Sequence, residues 1–243
     1  MVRRPAPLLT AALAALGALA YFLGAALVPD LGTGDAATLA AAAAGLAFVV
    51  ALAALVTPGA SAPAPVWLVA LGGGLVVATL NAAGAGAAAT PAEAVLFAGV
   101  GVLFAAALRT PSLALALPLF VAVVDLAALG GDAGTGGSSA EILARGATGS
   151  SDPLLLTLPA WTAGLTAAQV GVTEAVFLGV FGGYAHLFGL RPRATAAAMF
   201  AGLWLVIAIA VLLDRTVPAL PLLAAGYYLP NLDRLRGLAR QMA

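Results

Sequence analysis

The chain has 243 residues with no cysteine, no lysine and one histidine, and only 8% of it is charged. Each scarcity closes off a chemistry. Without cysteine there is no disulfide, no thiolate nucleophile and no cysteine-ligated metal. His186, with no second imidazole, argues against a structural zinc site. Without lysine there is no Schiff-base chemistry. The shortage of charge excludes the most, because a water-soluble domain is about one-quarter charged so that its surface can be wetted. Here ten Arg and ten Asp+Glu stand against 63% hydrophobic residues and a mean hydropathy of +1.10. Most of the surface must face lipid, and the expected class is an all-α polytopic membrane protein. The net charge of zero singles out no partner.

A spanning helix needs roughly 20 apolar residues. Runs bounded by Pro, Gly and charge predict eight, near 6–28, 36–56, 65–86, 91–108, 112–130, 168–190, 195–213 and 216–230. The first is too long for a signal-peptide core and leads into further spans, so it reads as a retained helix. With the N-terminus inside, eight spans put eight of the ten arginines on the cytoplasmic side and leave Arg145 and Arg215 outside. Acids expected outside the helices, including Asp30, Asp35, Glu93 and Asp214, then fall on the outer face. The chain reads as one transmembrane domain: a four-helix part over 1–110, a part carrying the chemistry over 111–230, and a basic cytoplasmic tail over 231–243. Residues 130–151 read as a flexible polar loop. The apolar stretch from Asp152 to Pro159 is too short to span; a re-entrant piece, a short strand and the start of a proline-kinked helix all remain open.

Two carboxylates fall inside predicted spans, Asp125 and Glu174, at a cost of several kcal/mol on insertion scales. By the topology above, each lies one to two turns below the outer face. Close together in low dielectric they would share a proton, one acting as base toward a water and the other as acid. Alternatively, each reaches interfacial water or a polar neighbour such as Thr173, Gln169 or Asn81. Asn81 with Thr79 reads as an interhelical hydrogen-bonding position. His186 and the tryptophans and tyrosines read as interfacial or packing residues. Gly72 to Gly74 and Gly179 to Gly183 read as close helix packing. Val217-Pro218-Ala219-Leu220-Pro221, at the same depth as the acids, opens the last span, and its prolines prevent a regular helix upstream.

In their order, these features resemble the presenilin and signal peptide peptidase family of intramembrane aspartyl proteases. Val124-Asp125 takes the place of the family's YD motif, Gly171-Val172-Thr173-Glu174 that of GxGD, and Pro218-Ala219-Leu220, followed by Pro221, that of PAL. The resemblance covers roughly residues 112–230. It implies a presenilin-like bundle in which Asp125 and Glu174 are catalytic. Gly171, Leu155, Leu156, Pro218, Ala219, Leu220 and Pro221 would then contact substrate, and DPLLLTLP resembles the segment that pairs with an unwound substrate. Tyr is replaced by Val124, the second Gly by Thr173 and the second catalytic Asp by Glu174. These departures imply a slow protease, a shifted geometry, or a member that binds without cutting.

The expected function is therefore to cleave or bind transmembrane segments or signal peptides in the cell membrane, with both termini cytoplasmic. No metal or organic cofactor is required. The expected partners are membrane lipids and a transmembrane peptide or protein substrate, with no nucleic acid. A proton- or cation-coupled small-solute transporter and a non-catalytic membrane scaffold are the alternatives.

Overall fold

Proline and glycine cut the apolar chain into its elements. In the computed structural model, which describes residues 7–27, 32, 34–84, 86–130, 154–162, 165–215 and 217–242, α1 spans Pro7–Gly24, α2 Asp35–Val56, α3 Pro63–Ala82, α4 Thr90–Ala107 and α5 Pro111–Gly130. A hairpin follows, β1 Leu155–Pro159 and β2 Thr166–Gly171. The chain then continues as α6 Val172–Leu187, α7 Pro192–Leu213, α8 Leu220–Tyr228 and α9 Leu232–Arg240. Arg3, Arg4, Asp30, Asp152, Pro153 and, apart from Gly130, the expected polar loop lie outside the described residues. Helices α3, α4, α7 and α8 carry proline in their first two positions, where the missing N–H is no loss and φ is already set. Asp214 ends α7 in the left-handed conformation at φ 49°, and Gly189 does the same after α6 at φ 60°.

Among the described residues four stretches are long and apolar enough to cross a membrane: Asp35–Ser61, Gly86–Ala107, Pro111–Ala128 and Pro192–Leu213. Leu13–Gly24, Val66–Ala82 and Val172–Leu187 are apolar but shorter. Leu68, Leu71 and Leu75 on α3 and Leu119 and Phe120 on α5 are all largely exposed, an apolar surface suited to lipid.

Several expected boundaries move. Residues 168–171, expected to begin the sixth span, are strand, which shortens that helix to 16 residues. The segment expected to be the last span is a nine-residue helix, roughly 14 Å long, continued by a 3-10 turn at Leu229–Asn231. The basic tail folds into the amphipathic α9. Of the three options for the apolar stretch before Pro159, the strand is the one adopted, because a partner strand lies just downstream.

The core is organised around α6, which lies against α2, α4, α7 and α8. Lipid tails are as apolar as leucine, so helices associate there through close packing rather than through a hydrophobic drive. Gly101 of α4 and Gly179 of α6 supply it: a Cβ on Gly101 would overlap the Val176 carbonyl, and one on Gly179 would overlap the Ala98 backbone. Gly73 and Gly74 meet Leu96 of α4 at ordinary contact distance, whereas Gly72 faces open space, so only part of that run serves packing.

The hairpin is antiparallel, with Leu155 opposite Gly171 and Thr157 opposite Gln169. Val172 N–H donates to the Leu154 carbonyl at 3.0 Å, so these two pairs do not bond each other and the main-chain groups of all four residues point away from the partner strand. On the β1 side Thr90 fills the place of a neighbouring strand. Its hydroxyl accepts from Thr157 N–H at 3.1 Å and donates to the Thr157 carbonyl at 2.9 Å.

At the other end of α6 the chain is latched. Arg191, in the α6–α7 turn, makes a two-pronged pair with Asp233 at 2.8 Å, while Arg234 donates to the carbonyls of Gly189 and Leu190. Asn231 is fully buried; its Oδ1 accepts from Arg191 N–H and its Nδ2 donates to Thr195 Oγ1 and the Tyr227 carbonyl.

Candidate functional site

The start of α8 is poor in donors. Pro218 and Pro221 have no N–H, and the N–H groups of Leu222 and Leu223 both turn back to the Ala219 carbonyl. Leu220 is left with a buried N–H at a helix N-terminus, one of the orphan donors every helix start creates. Asp125 of α5 satisfies it: Leu220 N–H donates to Asp125 Oδ2 at 3.0 Å across 95 residues of sequence. A carboxylate facing the positive end of a helix gains from the dipole as well as from the bond. Asp125 is 6% exposed, so a group expected to need a reason for lying in a span has a direct partner. Val124, beside it, is half exposed and turns away.

Glu174 is the third residue of α6, and Gly171 is the residue preceding that helix. The carboxylate folds back along the first turn, so that a Cβ added at Gly171 would collide with Glu174 Oε2. Glycine at 171 leaves room for the acid in this position, and its φ is an ordinary −68°. Glu174 is 1% exposed.

The structure thus joins the expected residues in two groups, Asp125 with Leu220 and Gly171 with Glu174. Helix α8 packs against both α5 and α6 and bridges them. Pro218, Ala219 and Leu220 are buried, and Pro221 is partly exposed. Leu155 and Leu156 are in β1. Leu156 is wholly buried and exchanges its main-chain bonds with Val170, whereas Leu155 turns its main-chain groups outward.

Three polar features were not legible in the sequence. Thr90 stands at a Thr-Pro helix start, and nothing local says that its hydroxyl serves a strand 67 residues away. Glu93, counted among the acids outside the helices on the outer face, is 2% exposed in the first turn of α4 and accepts from Asn81 Nδ2 at 3.2 Å. That bond joins α3 to α4, as the reading of Asn81 implied, while Thr79 donates within its own helix to Leu75. The Asn231 network was hidden in a stretch read as tail. Among the described residues no group of three or more His, Cys, Asp or Glu is placed to hold a metal ion.

No protein-family model, no curated protein and no solved structure matches the chain, so its own geometry carries the functional argument.

Proposed function

We propose that the chain is a presenilin-like intramembrane protein that receives a transmembrane segment or signal peptide and hydrolyses it through Asp125 and Glu174. The observation that carries this reading is the bond from Leu220 N–H to Asp125, because it links the first acid to the PAL-like segment. The hairpin running directly into the helix of the second acid supports it. A helical substrate must unwind before it is cut, and its freed main-chain groups need partners inside the membrane. The N–H and C=O of Gln169 and the N–H of Gly171, which point away from β1, offer them by strand addition. One carboxylate then takes a proton from the attacking water and the other gives one to the leaving amide nitrogen. No metal or organic cofactor takes part. In this reading both termini are cytoplasmic and the site opens toward the outer face.

One observation favours a second reading, a scaffold that binds without cutting. Glu174 lies back against Gly171, and its extra methylene displaces the carboxylate relative to an aspartate; misplacements of ~1 Å can cost about 100-fold in rate.

The test is cleavage of single-span reporter peptides by purified protein in lipid, comparing wild type with Asp125→Ala, Glu174→Gln and Glu174→Asp. Hydrolysis lost in the first two and kept in the third supports the protease. Activity only in Glu174→Asp supports the scaffold, and silence in all four removes the protease reading.

A further inference from the structure

A cleft of about 800 Å³ lies between α2, α6 and α7. Neither Asp125 nor Glu174 lines it. His186, on its wall, is 12 residues along α6 from Glu174, roughly 18 Å of helix. Its floor is apolar and buried, formed by Val50, Leu178 and Met199. Its rim differs: Leu55 and Arg193 are exposed, and the imidazole of His186 lies on the wall. The nearby Arg191 also reaches the cleft, but its guanidinium is held by Asp233. Among the described residues no carboxylate pairs with Arg193, which leaves a cation at the mouth of an apolar cleft.

We infer that this cleft is a binding site for an anionic phospholipid, with an acyl chain along Val50, Leu178 and Met199 and the headgroup phosphate at Arg193. The volume falls within the ~300–1,000 Å³ usual for ligand sites. The walls are built from α2 and α7, two of the helices long and apolar enough to cross a membrane, together with the shorter apolar α6, so an acyl chain reaches the cleft without leaving the bilayer. Charge chooses the headgroup: a basic pocket between transmembrane helices, near their ends, attracts anionic lipid. Arg193 is the second residue of α7, after Pro192, at the helix N-terminus, where the dipole adds to its charge. A zwitterionic lipid would satisfy the floor, but its quaternary ammonium would offset the charge of its phosphate at the guanidinium. A protein helix seated in the cleft would satisfy the floor equally well, and the test separates it from lipid.

The experiment is native mass spectrometry of the full chain released from detergent, equilibrated with equal amounts of phosphatidylglycerol and phosphatidylcholine of identical acyl chains. Inorganic phosphate serves as a headgroup-only probe. Wild type is expected to retain one phosphatidylglycerol in preference to phosphatidylcholine and to retain no phosphate. Arg193→Gln should reduce that preference by about fivefold, the effect of one basic side chain near a membrane surface. Ala54→Phe, which fills the cleft from α2, should abolish retention of both lipids. A monodisperse profile and an unchanged melting temperature establish that each variant is folded. Equal retention of the two lipids by wild type, an unchanged preference in Arg193→Gln, or a second copy or foreign chain in place of lipid would each overturn the assignment.

Discussion

Leu220 N–H and Asp125 Oδ2 are 3.0 Å apart, and through that bond a carboxylate on α5 caps the start of α8. Asp125 therefore has a structural duty that can be separated from any chemical one. Asparagine keeps an oxygen to accept the bond, whereas leucine leaves a buried N–H unpaired at a cost of about 1–3 kcal/mol. Thermal unfolding in detergent should show Asp125→Asn close to wild type and Asp125→Leu clearly lower. Reporter cleavage, where wild type has it, should be lost in both. Equal melting of the two variants would remove the capping role.

The close approach of α4 and α6 at Gly101 and Gly179 separates two kinds of glycine. At Gly179 an added methyl meets main chain, which cannot yield, so Gly179→Ala should cost about 1–3 kcal/mol as overpacking. Gly72→Ala has open space around it and should be neutral or stabilising by up to ~1 kcal/mol. Equilibrium unfolding of the two variants checks the contrast.

Gly171→Ala is a third case, since the atom it meets is the end of a flexible side chain. The carboxylate of Glu174 can swing aside, so the stability loss should be smaller than at Gly179. Truncating Glu174 to alanine in the same chain should remove what loss there is. A double-mutant cycle reads this directly, with a coupling of about 0.5–3 kcal/mol expected for touching residues.

Thr90→Val keeps shape but withdraws both hydrogen bonds from Thr157. The expected cost is about 1–3 kcal/mol. Amide exchange should quicken at Thr157 and in β1 while α4 stays protected, and Thr90→Ser should restore the protection.

The latch at the far end of α6 should respond to acid. Arg191, hydrogen-bonded to Asp233, holds that carboxylate below its ordinary value of 3.8. A lowered folded value means that the pair contributes fully above the ordinary aspartate range and that its contribution disappears as pH falls through the lower folded value. Hydrogen exchange of α9 should therefore rise only in strong acid. Asp233→Asn should remove that dependence and leave α9 held through Arg234 and Asn231 at every pH.

How far the sequence reveals this arrangement depends on the range of each interaction. Helix starts were visible because proline acts within one turn, as at Pro63, Pro111 and Pro192. The close approach of α6 was visible because glycine at Gly179 and Gly183 has few other uses inside an apolar run. The pairing of 155–159 with 166–171 was not, because in an Ala- and Leu-rich chain a short strand and a helix segment have the same composition. Asp125 and Glu174 stood out as acids in apolar runs. Their immediate partners, the Leu220 main chain and the Gly171 Cα, are backbone features that no side-chain pattern records. Glu93 stands at the border of the expected span 91–108, where the sequence does not separate a buried acid from a solvated one, and the partner of Thr90 is remote.

Backbone-to-backbone packing at Gly101 and Gly179 also apportions freedom of movement. Helices α4 and α6 are fused into a block that can neither slide nor rotate without driving carbonyl into Cα, and Glu174 is carried on that block. Helix α5 is attached chiefly through α8, and the Leu220–Asp125 bond makes those two travel together. Helices α7 and α8 are locked in the same way, since a Cβ on Gly202 would meet the Leu222 carbonyl and one on Gly226 the Met199 backbone. The separation of the two carboxylates is therefore the spacing between two locked helix pairs, one carrying Glu174 and the other holding Asp125 through the Leu220 main chain.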